Sequence, residues 1–171
     1  MQLTHRVILT SLAALPTAAL SVAPAGAQTL DLSITIPRMQ VAEYHAPYVA
    51  VWLEQAGAPA RTLSVWYDFD NRENGGKKWL TDLRSWWRAS GRSLDLPANG
   101  VSGATRPPGV QKLSVPAGAI KPGQYTLVVE AAREVGGREV VRLPFTWPAK
   151  VGARVTGTGT TELGAIALSV R

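Results

Sequence analysis

The stretch Leu30-Asp31-Leu32-Ser33-Ile34-Thr35-Ile36 alternates without a break, with Leu30, Leu32, Ile34 and Ile36 on one side and Asp31, Ser33 and Thr35 on the other. An apolar/polar period of two is the mark of a half-buried β-strand. Pro37 then ends it, because proline cannot donate to a ladder. Working outward, Pro47 to Gln55 (Tyr48, Val49, Ala50, Val51, Trp52, Leu53) is more uniformly apolar, which predicts a strand covered on both faces. Gly57-Ala58-Pro59 turns the chain into Arg61 to Asp70, where Leu63, Val65, Tyr67 and Phe69 are expected on one face, so that the two runs form a hairpin. Lys112 to Val115 reads as a short strand. Gly123 to Arg133 sets Tyr125, Leu127 and Val129 against Thr126, Val128 and Glu130, and continues through Gly136-Gly137 into Val140 to Trp147 as a second hairpin that Pro148 terminates. A Thr- and Gly-rich stretch from 156 to 161 leads to a last strand, Leu163 to Val170. There is no internal repeat. About seven short strands with regular turn signals predict an all-β fold, an immunoglobulin-like antiparallel β-sandwich with one inserted short helix.

The helix comes from the change of period after Asn74-Gly75-Gly76. Apolar residues at 79, 80, 83, 86 and 87 make a helical stripe, and Thr81, Asp82, Arg84, Ser85 and Arg88 take the other face. Trp79, Leu83 and Trp87 are expected to pack on a sheet. The adjacent Trp86 and Trp87 cannot both be central in one narrow contact, so one of them is a candidate to border a ligand. Arg72, Lys77, Lys78, Arg84, Arg88 and Arg92 gather along the same segment, usually the sign of a solvated face. Ser90-Gly91 is a credible stop. A polar, Gly/Pro-rich loop from 91 to 110 follows, and a loop this long is uncommon in a compact domain unless it is functional.

The N-terminus reads as an export signal: His5 and Arg6 precede an apolar run from Val7 to Ala23, and Ala25-Gly26-Ala27 suits cleavage after Ala27. Thr10, Ser11, Pro16 and Thr17 interrupt the run, which is poor for a permanent membrane span. Residues 1–27 are therefore expected to be a cleaved signal peptide, and 28–171 a single periplasmic domain. With no cysteine, disulfides, thiolate metal sites, iron–sulfur clusters and thioether-linked haem are excluded. Stability then rests on packing, for which six Trp and four Tyr are available. Lys and Arg number 18 against 12 Asp and Glu, a formal charge of +6, and only Arg6 of these lies in the leader. The balance favours anionic partners or ligands. An exported chain without a recognition motif is not expected to bind nucleic acid.

Few side-chain patterns suggest catalysis. Asp68-Phe69-Asp70-Asn71 opens like a calcium loop, but the glycine and the distal glutamate are missing at the required offsets and Arg72 stands where a ligand should be. His45 is the only histidine after the leader, with no Ser or Cys nucleophile nearby, and supports neither a triad nor a zinc site. No catalytic residue and no metal ligand is assigned. What remains is the hydroxyl of Thr105, approached through two residues almost without side chains, Gly103 and Ala104.

Asn99-Gly100-Val101-Ser102-Gly103-Ala104-Thr105 resembles the target motif of bacterial FAD:protein FMN transferases, in which an acidic or small polar residue and Gly precede Ser/Thr-Gly-Ala-Thr. Asn99 stands where Asp is commoner. A wider resemblance spans most of the chain after the leader. Tyr48 to Glu54, Leu63 to Tyr67, Lys78-Trp79-Leu80 with Trp86-Trp87, Ser102 to Arg106 with Pro108-Gly109, and Gly123-Gln124-Tyr125 are similar to the periplasmic DUF2271 family. Members of that family resemble immunoglobulin-like domains and tend to accompany PepSY-type membrane reductases and the FMN transferase.

The resemblance implies FMN joined to Thr105 as a phosphoester, with Asn99, Gly100, Ser102, Gly103, Ala104 and Arg106 forming the rest of the attachment site. It implies an electron carrier rather than a self-contained enzyme, with the FMN transferase and a PepSY-type reductase as partners. Arg106, with Arg88 or Arg92, is expected to meet the phosphate charge, and Trp86 or Trp87 to stack on the isoalloxazine. Two other classes stay open: a non-redox periplasmic accessory domain docking through its basic face, and a Trp-based binder of sugars or other small ligands.

Overall fold

The computed structural model describes residues 28–70, 72–118 and 120–171, with the side chains of 72–74 left out, so the expected leader lies outside the described residues. Among the described residues nine strands form two sheets. They are β1 (Thr29–Ile36), β2 (Tyr48–Glu54), β3 (Arg61–Trp66), β4 (Ser102–Gly103), β5 (Gly109–Pro116), β6 (Gly123–Ala132), β7 (Arg138–Trp147), β8 (Arg154–Thr158) and β9 (Ala165–Val170). One sheet runs β5-β1-β9-β8 and the other β4-β3-β2-β6-β7, antiparallel throughout except for the β3–β4 pair. The all-β sandwich is as the strand pattern predicts.

The alternation in β1 does what its period requires: Leu30, Leu32, Ile34 and Ile36 are buried between the sheets, where they meet Val49, Val51, Leu127, Val129, Leu143, Phe145, Ile166 and Leu168. The uniformly apolar β2 is likewise covered on both faces. Val49, Val51 and Leu53 belong to this inner core, whereas Ala50 and Trp52 belong to a second one. That second core lies between the outer face of the five-stranded sheet and a helical cover made of a 3-10 helix, Arg72–Asp82, and the α-helix α1, Arg84–Ala89. The architecture is therefore three-layered on one side, and it keeps Val65, Tyr67, Leu80, Leu83, Trp86 and Val128 out of water.

Three expectations change. Leu63 does not share a face with Val65 and Tyr67: the β2–β3 register slips between Val51 and Trp52, pairing Val51 with Ser64 and Trp52 with Thr62. Leu63 is the extra residue of this bulge, and it turns into the inner core beside Trp66 while Val65 and Tyr67 face the helical cover. Secondly, the strand expected at Lys112 to Val115 extends over Gly109–Pro116, because β1 pairs with it along its whole length. Thirdly, the Thr/Gly stretch contains a strand of its own, β8, whose inward position Gly157 leaves space for Leu143; a Cβ there would meet Leu143 Cδ2 at 2.5 Å.

The turn after β8 is tied to β7 by one carboxylate. Glu139 accepts hydrogen bonds from Thr160 N (2.6 Å), Thr160 Oγ1 (3.0 Å), Thr161 N (3.1 Å) and Leu163 N (2.8 Å). Partial desolvation pushes its pKa up, but these donors outweigh it and hold the carboxyl at about 2 against an ordinary 4.5. A depressed carboxylate contributes stability that is complete above its unfolded value and is lost as pH falls toward its folded value. Acid titration of stability is expected to show a loss between about pH 5 and pH 2 that Glu139→Gln removes. After allowance for solvent screening of this largely accessible group, the contribution is roughly 1–2 kcal/mol. Urea midpoints of both proteins at pH 7, 4 and 2.5 check it, and parallel curves would show that Glu139 is not the group responsible.

Candidate functional site

The loop from 98 to 108 is positioned by backbone bonding at its start and by one cation at its end. Ala98 O accepts from Val101 N (3.1 Å) and Ser102 N (2.9 Å), and Ala98 N donates to Ser102 Oγ at 3.0 Å, closing a turn with Asn99 and Gly100 at its exposed tip. The chain then adds β4 to the sheet edge: Val65 N donates to Val101 O at 2.8 Å and Tyr67 N to Gly103 O at 3.0 Å. One residue beyond Thr105, the Arg106 guanidinium lies 5.4 Å from the centre of the Trp66 ring, a cation–π contact. A Cβ on Gly103 would already touch the same indole at 3.4 Å. Ala104 and Thr105 are thus a short span between two fixed points, and among the described residues Thr105 makes no hydrogen bond.

Thr105 is half-buried on the wall of a cleft of ≈ 230 Å³ at one end of the sandwich. The facing walls come from His45 to Tyr48 entering β2, Asp68 leaving β3, Trp79 and Asp82 of the 3-10 helix, and Ala132 to Glu134 leaving β6. Gly76 allows the 3-10 helix to come this close, since a Cβ there would overlap the Asp68 carbonyl oxygen. Tyr48 Oη donates to Gly76 O at 3.2 Å and braces the same contact. Burial pushes the Tyr48 phenol pKa up, so this donor stays protonated at neutral pH. Tyr67, packed edge-on against Tyr48 at 6.2 Å, carries a buried hydroxyl without a hydrogen-bond partner among the described residues.

The charges in the cleft are mixed. His45 stands between two carboxylates, Nε2 3.1 Å from Glu43 Oε1 and Nδ1 3.6 Å from Glu134 Oε2. Arg133 forms a fork with buried Glu162, Nε to Oε2 at 3.0 Å and Nη2 to Oε1 at 3.2 Å, so its charge is already balanced and it serves as wall. No group of three or more His, Cys, Asp or Glu suited to a metal ion exists among the described residues.

Of the residues that the sequence nominates, Thr105 alone lines the cleft. Ser102 is used locally, Asn99 and Gly100 sit at the turn, and Arg106 rests on Trp66. The expected indole partners are not there. Trp86 is fully buried, its Nε1 donating to Thr62 Oγ1 at 2.9 Å, and Trp87 packs half-buried against the second core. The indole that reaches the cleft is Trp79, 42 % exposed, which the helical stripe assigned to the core. The change from the 3-10 helix, which ends at Asp82, to α1, which begins at Arg84, puts Leu80, Leu83 and Trp86 in one buried row and leaves Trp79 off it.

Fold and site together define an all-β sandwich, capped by a short helical cover, with a hydroxyl-bearing cleft at one end. The family model described as "Predicted periplasmic protein (DUF2271)" matches residues 29–165, and the chain belongs to that family. A periplasmic location accords with the leader-like N-terminus. No curated protein and no solved structure matches the chain. No helix among the described residues is long and apolar enough to cross a membrane.

Proposed function

We propose that this protein carries FMN covalently on Thr105 and works as a periplasmic electron carrier with a PepSY-type membrane reductase. The observation that carries the reading is the position of Thr105: a hydroxyl with no hydrogen-bond partner among the described residues, on a cleft that also contains the exposed indole of Trp79. The attachment needs a FAD:protein FMN transferase. Thr105 Oγ1 forms a bond to the phosphorus on the FMN side of FAD, the pyrophosphate P–O bond breaks, AMP leaves, and the hydroxyl proton passes to a base on the transferase. Gly103 and Ala104 leave the approach to that oxygen free of bulk.

The residues present fit the group in one orientation. Arg106, the residue directly after Thr105, is the cation next in sequence to the phosphate position. Asp68, Asp82 and Glu134 oppose a phosphate deeper in the cleft and leave that space to the uncharged ring, where Trp79 offers a face for stacking. Bound flavin supplies reversible electron transfer, and the protein supplies position and electrostatics. A covalent tether keeps the cofactor at high effective concentration in a compartment where free flavin is diluted.

Co-expression with an FMN transferase is expected to add one FMN phosphoester to the intact mass, and Thr105→Ala to abolish it completely. An unmodified wild-type mass, or an adduct that survives Thr105→Ala, removes the proposal. In the first case, Trp fluorescence quenched by sugars would favour the small-ligand binder.

A further inference from the structure

The surroundings of the cleft have a property that flavin attachment does not require. Of the seven exposed large hydrophobic side chains among the described residues, four surround this opening: Tyr44, Phe69, Trp79 and Val135. Three of them directly adjoin, in sequence, a residue of the cleft wall, and Trp79 is itself in the wall. A neighbouring groove shares Trp79, Asp82, Ala132, Arg133 and Glu134 with the cleft and runs on to Val135, so Trp79 and Val135 border one continuous depression, with Tyr44 and Phe69 next in sequence to its wall residues His45 and Asp68. Grouped apolar exposure of this kind marks an interaction surface, whereas scattered residues do not.

Val135 sharpens the point. It sits in the β6–β7 turn, 88 % exposed, with φ at 51°. That is the left-handed region, which a β-branched residue occupies at a cost and which Gly or Asn would occupy freely. Nothing within the fold benefits from an exposed valine there.

We infer that this rim docks a protein whose contact face is apolar at its centre and ringed by lysine or arginine. The charge argument selects that partner. The chain carries a formal +6, yet the rim presents Glu43, Asp70, Asp82 and Glu134, the first and last flanking His45. The cations around it are Lys77 and Lys78 on the 3-10 helix, Lys78 lying over the Trp79 ring, Arg84 in the groove, Arg106 after Thr105 and held on Trp66, and Arg133 and Arg138, both ion-paired to the buried carboxylates Glu162 and Glu130. The apolar residues alone would also suit a lipid surface, but the carboxylates repel anionic headgroups and attract a cationic protein. The contact would cover the mouth of the Thr105 cleft. Its use for electron exchange rests on the flavin reading; the contact itself does not.

The test is a titration of the ¹⁵N-labelled protein with a lysine-ringed cytochrome c as the cationic-apolar probe, followed by amide and indole shifts. Perturbations are expected at Tyr44, Phe69, Val135 and the Trp79 indole, weakening several-fold when salt is raised from 20 to 200 mM. Glu134→Lys is expected to weaken binding about tenfold. Val135→Gly is expected to weaken it by a similar factor while leaving Tm unchanged or higher, which a merely structural role would not produce. The same map is expected from Thr105→Ala, which cannot carry the flavin, so a negative mass result for flavin leaves this test intact. Absent perturbation, perturbation centred on Lys112 and Arg154 of the opposite sheet, or rim signals that respond to phosphatidylglycerol vesicles would each overturn the inference.

Discussion

Glu130→Ala is expected to lower stability by about 3–5 kcal/mol, the range for removing one partner from a buried charged contact. Glu130 is fully buried on β6, and its carboxylate accepts from Ser85 N at 3.1 Å, Trp86 N at 2.7 Å and Arg138 Nη1 at 2.7 Å. The first two donors are the opening N–H groups of α1, which has Leu83 at its N-cap and no side-chain cap of its own. A six-residue helix cannot hold itself together in water. Alanine at 130 would leave the buried Trp86 N–H and the part-buried Ser85 N–H without an acceptor, the buried one worth about 1–3 kcal/mol. Arg138 is partly exposed and can turn to solvent, so its share of the loss is small. Glu130→Gln keeps one acceptor oxygen and is expected to cost less, about 1–3 kcal/mol. Urea unfolding of the three proteins checks the order, with Tm falling by about 10–20 °C for the alanine variant. A loss under about 1 kcal/mol for Glu130→Ala would mean that α1 does not depend on this cap.

That interaction shows why part of the molecule is legible in its sequence and part is not. Strand signals are local: the period of β1 and the turn chemistry at Gly57-Ala58-Pro59 and Gly136-Gly137 act over a few residues, and they predict both hairpins and the sandwich. The helical cover is fixed from a distance. Its cap comes from a glutamate that is 44 positions from the nearer of the two helix N–H groups it accepts, and that residue reads in sequence as the polar side of β6. The bulge at Leu63 is a property of two paired strands, so no inspection of β3 alone reveals it. β8 escapes notice because its inward glycine is shaped by Leu143 on another strand. The site divides in the same way. Thr105 is readable because a small-residue run before a hydroxyl is a local pattern, whereas His45, Asp68, Trp79 and Glu134 reach the cleft from four separate elements.

Trp86→Ala and Trp79→Ala are expected to separate fold from site. Trp86 is fully buried in the second core among Leu80, Leu83 and Ala50, and its Nε1–H is satisfied by Thr62 Oγ1, which in turn lies 2.7 Å from Ser90 Oγ. Removing the ring opens a cavity beneath the helical cover and takes away the Thr62 partner, for a loss of about 3–5 kcal/mol. Gly91 makes collapse difficult to arrange: a Cβ there would stand 2.8 Å from the Trp86 ring, so the backbone is already pressed against the indole and would have to move as a unit to fill the space. Trp79 is exposed and in contact chiefly with Lys78, 5.0 Å above its ring, so Trp79→Ala is expected to cost less than about 1 kcal/mol. Its effect should fall on the cleft instead. In flavin-loaded protein, stacking on an indole quenches flavin emission strongly, and Trp79→Ala is expected to raise that emission several-fold while Tm barely changes. Trp86→Ala is expected to lower Tm by about 10–20 °C. If the two substitutions exchanged roles, the three-residue row of Leu80, Leu83 and Trp86 would not be the buried face of this segment, and the indole beside Thr105 would have to be sought elsewhere.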